Sequence, residues 1–458
     1  MIPSLSAQPE QKSLPKPRRE PLSWDEKLLI FGFPGLLVLA AIGQLSLTRS
    51  QPAVLIAYPA PVALPNPNGF DAYLSAEAAI KLDVPAVDPI DDSLKLMPTD
   101  AKSRAKKYSL GNKIAWLRAN AGGFSLFRAA QTLPCRHPVA MPSGFFFAGS
   151  NYARHNRLRQ LARYKAIEIN ALKLQKKWGG AVNSALDTIQ MGNDIAVGGA
   201  LDAKYTGLEI ETTGRDHLTA PDDPISKLSA PEARGAARRL QTIITHRFPF
   251  AQTLENSRWA ALQEFDMVSR LPNWQSQMAA NQGREATWRE KMGLIANPRP
   301  EIVADIKRIY DANTADLKKP YSAPYSALAP LNLLSQNFVW GQSQRFDQTR
   351  EKVTLNVLLL RLALRAFEAQ NGRFPAQLGE LSPRFIGKIP TDDFADGKPF
   401  HYSVSGKTYR LYSVGPDGKD DKGTPLKENY GRLGRNGFGR YESLQSGKRG
   451  DYVAGINP

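Results

Sequence analysis

The sequence predicts a mainly α protein. It has a single N-terminal transmembrane helix, a large helical domain built as a bundle or from helical hairpins, and a small α+β C-terminal module with an antiparallel hairpin. Three observations lead there. Leu28 to Thr48 is a run of 21 residues without a charge. Residues 101–345 carry helix-type apolar spacing, and strand-like alternation is scarce before residue 390. Beyond it, Phe400, Tyr402 and Val404 alternate with His401 and Ser403, the period-two pattern of a half-buried strand.

Residues 1–26 read as a cytoplasmic tail, rich at first in Pro, Ser, Gln and charge in the manner of disordered chains. Residues 27–48 form the anchor. A bilayer core about 30 Å thick takes about 20 helical residues to cross. Pro34 and Gln44 interrupt the run, but proline is tolerated in membrane helices. Lys12, Lys16, Arg18, Arg19 and Lys27 precede it, and after Arg49 no Lys or Arg occurs before Lys81. Positive residues stay on the cytoplasmic side, so the amino terminus is expected inside and the bulk extracytoplasmic, at the cell inner membrane. Trp24 stands where an interfacial aromatic would. A cleaved signal peptide would need a shorter core and a small-x-small site, which Gly43-Gln44-Leu45-Ser46 supplies poorly. A buried core helix would not carry this charge asymmetry.

Residues 49–67 are a proline-rich linker, with Pro52, Pro59, Pro61, Pro65 and Pro67 stiffening it. Residues 68–345 form the helical extracytoplasmic domain. A first helix is expected from Gly69 through Leu82, and a long one from His155 to Trp178, closed by Gly179-Gly180. A return helix follows from Ala181 to Ile195, a hairpin of the kind found in tetratricopeptide repeats and in bundles alike. Ser229-Ala230-Pro231-Glu232 is a capping box with proline in the first turn, so a helix should start there and run to about His246. Further helices are expected at 252–271, 275–295, 299–319 and 346–370.

Net charge is +17, which favours anionic partners such as phospholipid head groups, acidic polymers or nucleic acid, or simply aids solubility. The densest basic run is the long helix, where Arg154, Arg157, Arg159, Arg163, Lys165, Lys173, Lys176 and Lys177 face one acid, Glu168. Arg159, Arg163, Lys173 and Lys177 are the candidate anionic-surface residues. Opposing acids at i+4 are absent, which is atypical of a face laced with salt bridges. Lys102, Arg104, Lys106 and Lys107 add a second cluster. The expected topology keeps this helix outside the cytoplasm and no stacking aromatics accompany it, which argues against nucleic acid. Cys135 stands alone, without an internal disulfide partner or a second soft metal ligand.

Residues 346–458 make the C-terminal module. Val353, Val357, Leu360, Leu364 and Phe367 form an apolar stripe, with Arg361, Arg365 and Glu368 expected to face outward. Asn371-Gly372 ends that helix, Ser405-Gly406-Lys407 makes the hairpin turn, and Gly415-Pro416-Asp417-Gly418 breaks the second strand. In element order, and in Asn-Gly-Arg-Phe-Pro at 371–375 and Leu-Tyr-Ser-Val-Gly-Pro-Asp-Gly at 411–418, this module resembles the globular half of type II secretion major pseudopilins. The resemblance implies a calcium ion in the loop after the hairpin, held by Asp417, Asp420 and Asp421 and closed by Asp451. Calcium takes six to eight oxygens on a flexible loop, so the chemistry suits. Lys419 and Lys422 interleave the acids, however, and the Asp residues also make turns unaided. The pilin-type cleavage signature is missing, since Phe31-Gly32-Phe33-Pro34-Gly35 leads into no glutamate. The overall layout also resembles uncharacterised single-anchor bacterial envelope proteins.

No catalytic motif emerges. Ser405-Gly406-Lys407-Thr408 ends like a phosphate loop but joins two strands. The five histidines show no pair at ligand spacing, no Gly-x-Ser-x-Gly elbow occurs, and the carboxylates are too scattered to select a glycosidase pair. The expectation is a non-enzymatic envelope protein that binds a partner protein or an anionic polymer, perched beside a secretion or pilus-like system. The alternative is a hydrolase acting on wall material from a cleft in the helical domain.

Overall fold

The computed structural model describes residues 23, 35–40, 56–60, 62–81, 110–138, 148–219, 223–271, 274–281, 283–288, 299–325, 328, 330–331, 344–426 and 449–457. The chain divides into two compact units, Met1–Ala53 with Gln275–Pro298, and Val54–Trp274 with Arg299–Pro458. In the first unit, residues 35–40 are helical. The rest of Leu28–Thr48 lies outside the described residues, as do Lys102, Arg104, Lys106 and Lys107. Among the described residues no helix is long and apolar enough to cross a membrane.

The second unit is mainly helical, with a small antiparallel sheet. Its helices are α1 (Gly69–Ala78), α2 (Leu110–Ala119), α3 (Ala121–Ala130), α4 (Ala148–Leu174), α5 (Trp178–Ala196), α6 (Leu201–Asp216), α7 (Ala230–Thr245) and α8 (Phe250–Val268). Then come α9 (Trp274–Asn281, which crosses the boundary between units), α10 (Arg299–Asp316) and α11 (Arg345–Asn371). Local signals explain several ends. Asn68 caps α1 through its side chain, and Ser229 and Glu232 form both halves of the expected box at α7. Gly372 takes a left-handed φ of 69° and closes α11.

The long basic helix ends earlier than its sequence suggests, at Leu174, and Lys176 at φ 58° takes the left-handed position assigned to glycine. Trp178 and Gly179 instead open α5. A Cβ on Gly179 would run into the Glu232 carboxyl group, so the glycine makes room for the α7 cap. Glycine also sets how α5 meets α6. A Cβ on Gly192 would strike the Gly207 carbonyl oxygen, a Cβ on Gly207 would strike that of Gly192, and one on Gly214 would lie 2.7 Å from the Ala185 oxygen. Backbone lies on backbone here. Gly207→Ala is therefore expected to cost about 1–3 kcal/mol through forced separation, although alanine favours helix. Urea unfolding of the variant checks this; an unchanged midpoint would show that the helices can part freely.

Two hydrophobic clusters hold this unit. One gathers Phe70, Tyr73, Trp116, Phe124, Phe127, Leu158, Leu161, Met191 and Ile195 under α1. The other runs from Ile169 through α5, α7 and α11 to Leu411 and Tyr452. The boundary expected between residues 345 and 346 thus passes through one continuous core. α11 is buried nearly all round, and its outward face needs correcting. Arg361 is 4% exposed: its Nη2 donates to the Leu218 carbonyl at 2.7 Å and pairs with Asp223 at 2.9 Å. Arg365 Nε donates to the Leu228 carbonyl at 2.7 Å. The Leu218 and Leu228 carbonyls lie against that face, and the arginines satisfy them.

The sheet follows α11. β1 (Thr391–Asp392) and β2 (Lys398–Pro399) form a short antiparallel pair, and β3 (His401–Ser405), β4 (Thr408–Ser413) and β5 (Tyr452–Val453) form an antiparallel sheet in that order. The expected hairpin is present, with Ser405 opposite Thr408 and Gly406 at φ 56° in the turn. β5 adds a strand not foreseen, Tyr412 facing Val453. Asp392, fully buried, ties the pair to the sheet by accepting from Phe394 N at 3.0 Å, Ser413 Oγ at 2.8 Å and Val414 N at 3.0 Å.

Candidate functional site

The acidic loop comes together, but as a clasp. Asp451 is fully buried; its Oδ1 accepts from Asp421 N at 3.2 Å and its Oδ2 from Gly423 N at 2.6 Å. Asp421 Oδ2 accepts in turn from Gly450 N at 2.9 Å. Asp417 Oδ1 receives Lys419 N at 3.1 Å, and Asp420 Oδ1 receives both Lys422 N at 2.8 Å and the Tyr412 hydroxyl at 3.1 Å. Burial pushes the Asp451 carboxyl up, against the pull of the two amides. Both Asp451 oxygens and one on each other aspartate are thus engaged with donors, whereas calcium needs oxygens converging on one point. Among the described residues no three of His, Cys, Asp or Glu gather so as to hold a metal ion. Calcium does not fit these four residues. The loop is closed by carboxylate–amide bonds, reached through left-handed turns at Lys422 and Gly423.

The basic helix also reads differently in three dimensions. Arg159 pairs with Glu209 of α6, and Arg157 with Glu77 of α1 at 2.7 Å. Lys165, 1% exposed, pairs with Glu168 and with Asp187 of α5 at 3.1 Å, its ammonium 4.8 Å from the centre of the Phe127 ring. Lys173 Nζ donates to the His217 carbonyl at 3.3 Å, and Arg163 Nη1 to Gln160 at 3.1 Å. The opposing acids that α4 lacks come from its neighbours. Of the four candidate residues, Arg159, Arg163 and Lys173 are part-buried and Lys177 is exposed. They do not form one solvated stripe.

Two groupings escaped sequence reading. His137 and His155, both buried, bring their Nε2 atoms to 2.9 Å. Burial lowers both rings' pKa, that of His155 to about 4. One imidazole must donate and the other accept, so the accepting ring is neutral. The histidines lie 18 residues apart, outside any helical ligand spacing, so no local pattern pairs them.

The second grouping is a buried charge network between α6, α11 and the turn after α7. Glu351 receives Lys204 Nζ at 2.7 Å and also pairs with Arg247. Arg247 reaches Glu211 at 2.7 Å, and Arg215 Nη1 lies 3.6 Å from the other Glu211 oxygen. Lys204 also donates to the Phe248 carbonyl at 3.1 Å and lies 4.7 Å from the centre of the Phe250 ring. Burial, then the Arg247 charge, brings its ammonium down to about 7.

Beside this network lies a narrow cleft of about 10 Å³, room for roughly one water molecule. Arg215 and Thr219 line it from the end of α6, Thr354 and Arg361 from one face of α11, and Tyr452 and Asn457 from around β5. Arg215 is 8% exposed; its Nη2 donates to Thr212 Oγ1 at 2.8 Å, while Nε and Nη1 have no hydrogen-bond partner. Burial pushes the Tyr452 phenol up to about 12 although both arginines pull it down. Gly455, at φ 78°, lays its backbone on the Arg361 guanidinium, where a Cβ would lie 3.4 Å from Nη2. Comparisons of the chain with protein-family models, curated proteins and solved structures return no match.

Proposed function

We propose that the chain is a non-enzymatic binding protein of a bacterial envelope, anchored by one membrane helix over residues 27–48 with its bulk extracytoplasmic. Its pseudopilin-like module is a fixed cap working beside a secretion or pilus-like system. The observation that carries this reading is the exposure of Leu36, Leu37, Val38 and Leu39, at 66%, 60%, 57% and 66%. Four consecutive helical residues point to all sides of the axis, and all four of these are exposed. Each such side chain gains about 1.5–3 kcal/mol on leaving water, and a bilayer supplies that environment all round. The lysines and arginines before the run support the orientation.

The fusion of α11 into the helical core supports a cap in preference to a filament subunit, because the helix is already covered. Glu211 and Glu351 are each paired with cations, which supports a structural role for this buried network. Protease shaving of intact spheroplasts tests the topology. Digestion of nearly all the chain beyond residue 50 is the expected result; full-length chain surviving until lysis overturns it.

A further inference from the structure

We infer that the surface where α7 meets the 382–388 turn is a docking site for an acidic segment of a partner protein, received by Arg238, Arg384 and Lys388. This deepens the binding reading and rests on it, by naming the chemistry that the partner must carry. Arg234, Arg238 and Gln241 stand at i, i+4 and i+7, on one face of α7. Gln241 Oε1 receives Gly387 N at 3.4 Å, and a Cβ on Gly387 would lie 3.0 Å from Gln241 Nε2, so the turn is pressed against that face. Phe385 is buried here, with the guanidinium carbon of Arg234 at 5.5 Å from its ring centre and that of Arg384 at 5.9 Å. The Phe367 ring lies 5.3 Å from Phe385, centre to centre, and carries Arg373 at 5.3 Å.

Positive charge is in excess on these elements. α7 and residues 373–390 hold six cations, Arg234, Arg238, Arg239, Arg373, Arg384 and Lys388, against two acids, Glu232 and Glu380. Glu380 pairs with Arg373, Glu232 turns to the Ser229 cap, and Arg239 finds Asp187 on α5. Glu368, at the end of α11, is taken by Arg365. Four cations are left over. Arg234 is half-buried and donates to Gln370, so it serves as fixed charge, whereas Arg238, Arg384 and Lys388 are exposed. A phenyl ring under a guanidinium holds its plane and leaves its N–H edge for a carboxylate, so Arg384 surrenders little freedom on binding. Exposed Pro383 and half-buried Ile389 and Pro390 border the cations with apolar surface. Arginine beside apolar contact is the mixture that protein interfaces favour, and a bare polyanion would use the charge but not this border.

Fluorescence anisotropy with the full-length chain in detergent tests the site, the probe being a labelled peptide that carries Glu, Leu and Ser in alternation. Binding should weaken as salt rises, and a peptide with Gln in place of Glu should bind roughly tenfold or more weakly, having lost every ion pair. Arg384→Gln with Lys388→Gln should lower affinity for the Glu peptide roughly five- to tenfold, the worth of two exposed ion pairs. Both side chains are exposed, and Arg238→Gln on the separate helix gives an independent reading should the double variant fail to fold. Arg118→Gln with Arg128→Gln removes the same charge from exposed positions on α2 and α3 and should leave affinity within about twofold. An equal loss in that pair means net charge alone attracts the peptide, and the inference falls. Equal binding of the Glu and Gln peptides overturns it as well. Inorganic polyphosphate of matched charge that binds more tightly than the Glu peptide assigns the surface to a polyanion, and the partner-protein reading fails. Because these measurements use purified chain, they stand or fail separately from the spheroplast result.

Discussion

Glu351→Ala should destabilise the chain by about 3–5 kcal/mol, the usual cost of stranding a buried charge by removing its partner. Glu351 is 6% exposed and is the one acid that both Lys204 and Arg247 meet. Without it Lys204 keeps only the Phe248 carbonyl and the face of Phe250. It would then shed its proton more readily than its already lowered pKa allows, which limits the loss. Arg247 cannot follow that route, since guanidinium stays charged, and it would retain Glu211 alone. The pair Lys204→Met with Glu351→Met tests the mechanism. Removing both charges should recover much of the loss, because apolar replacements of a buried pair are often neutral. Urea unfolding gives both values. A single-variant loss under about 1 kcal/mol would mean that water already reaches these charges.

Acid should loosen the N-terminal cluster through His155, and the sign follows from linkage. The ring titrates near 6.5 when unfolded and near 4 in the folded chain, chiefly through burial, with His137, Arg159 and Arg154 adding repulsion and Asp202 opposing it. Between those values the unfolded chain binds the proton and the folded chain does not. The contribution is therefore fully present above pH 6.5 and is lost progressively as pH falls to about 4, reaching about 3 kcal/mol. His137 acts in the same direction. Asp194 and Glu264, whose folded values are raised to about 6 and about 7, act in the opposite sense, since their folded forms take up protons first. The difference between wild type and His155→Gln isolates the ring. That difference in unfolding free energy should change by about 3 kcal/mol between pH 7 and pH 4; a flat difference would show that the ring is hydrated in the native chain.

What could be read from residues alone was governed by short-range physics. The capping box at Ser229 and Glu232, the left-handed Gly372 and the Gly406 turn each satisfy backbone groups within four residues, and each was legible. Legibility failed where a residue serves a distant neighbour. Gly179 looked like a helix stop but makes room for Glu232, and Arg361 looked solvent-facing but binds the Leu218 carbonyl and Asp223. The aspartates of the C-terminal loop suggested a metal by composition. Their lone pairs meet amides instead, and only the fold reveals where those amides lie.

The sequence by itself determined the helical class, the hairpin and most helix positions, because periodicity, caps and turns are properties of neighbouring residues. Only the tertiary structure decided which charges pair, that two histidines meet, and that Arg234 and Arg384 share the Phe385 ring. Lys204 and Glu351 lie 147 residues apart, and such a partnership depends on how helices pack; no local pattern in the chain encodes it.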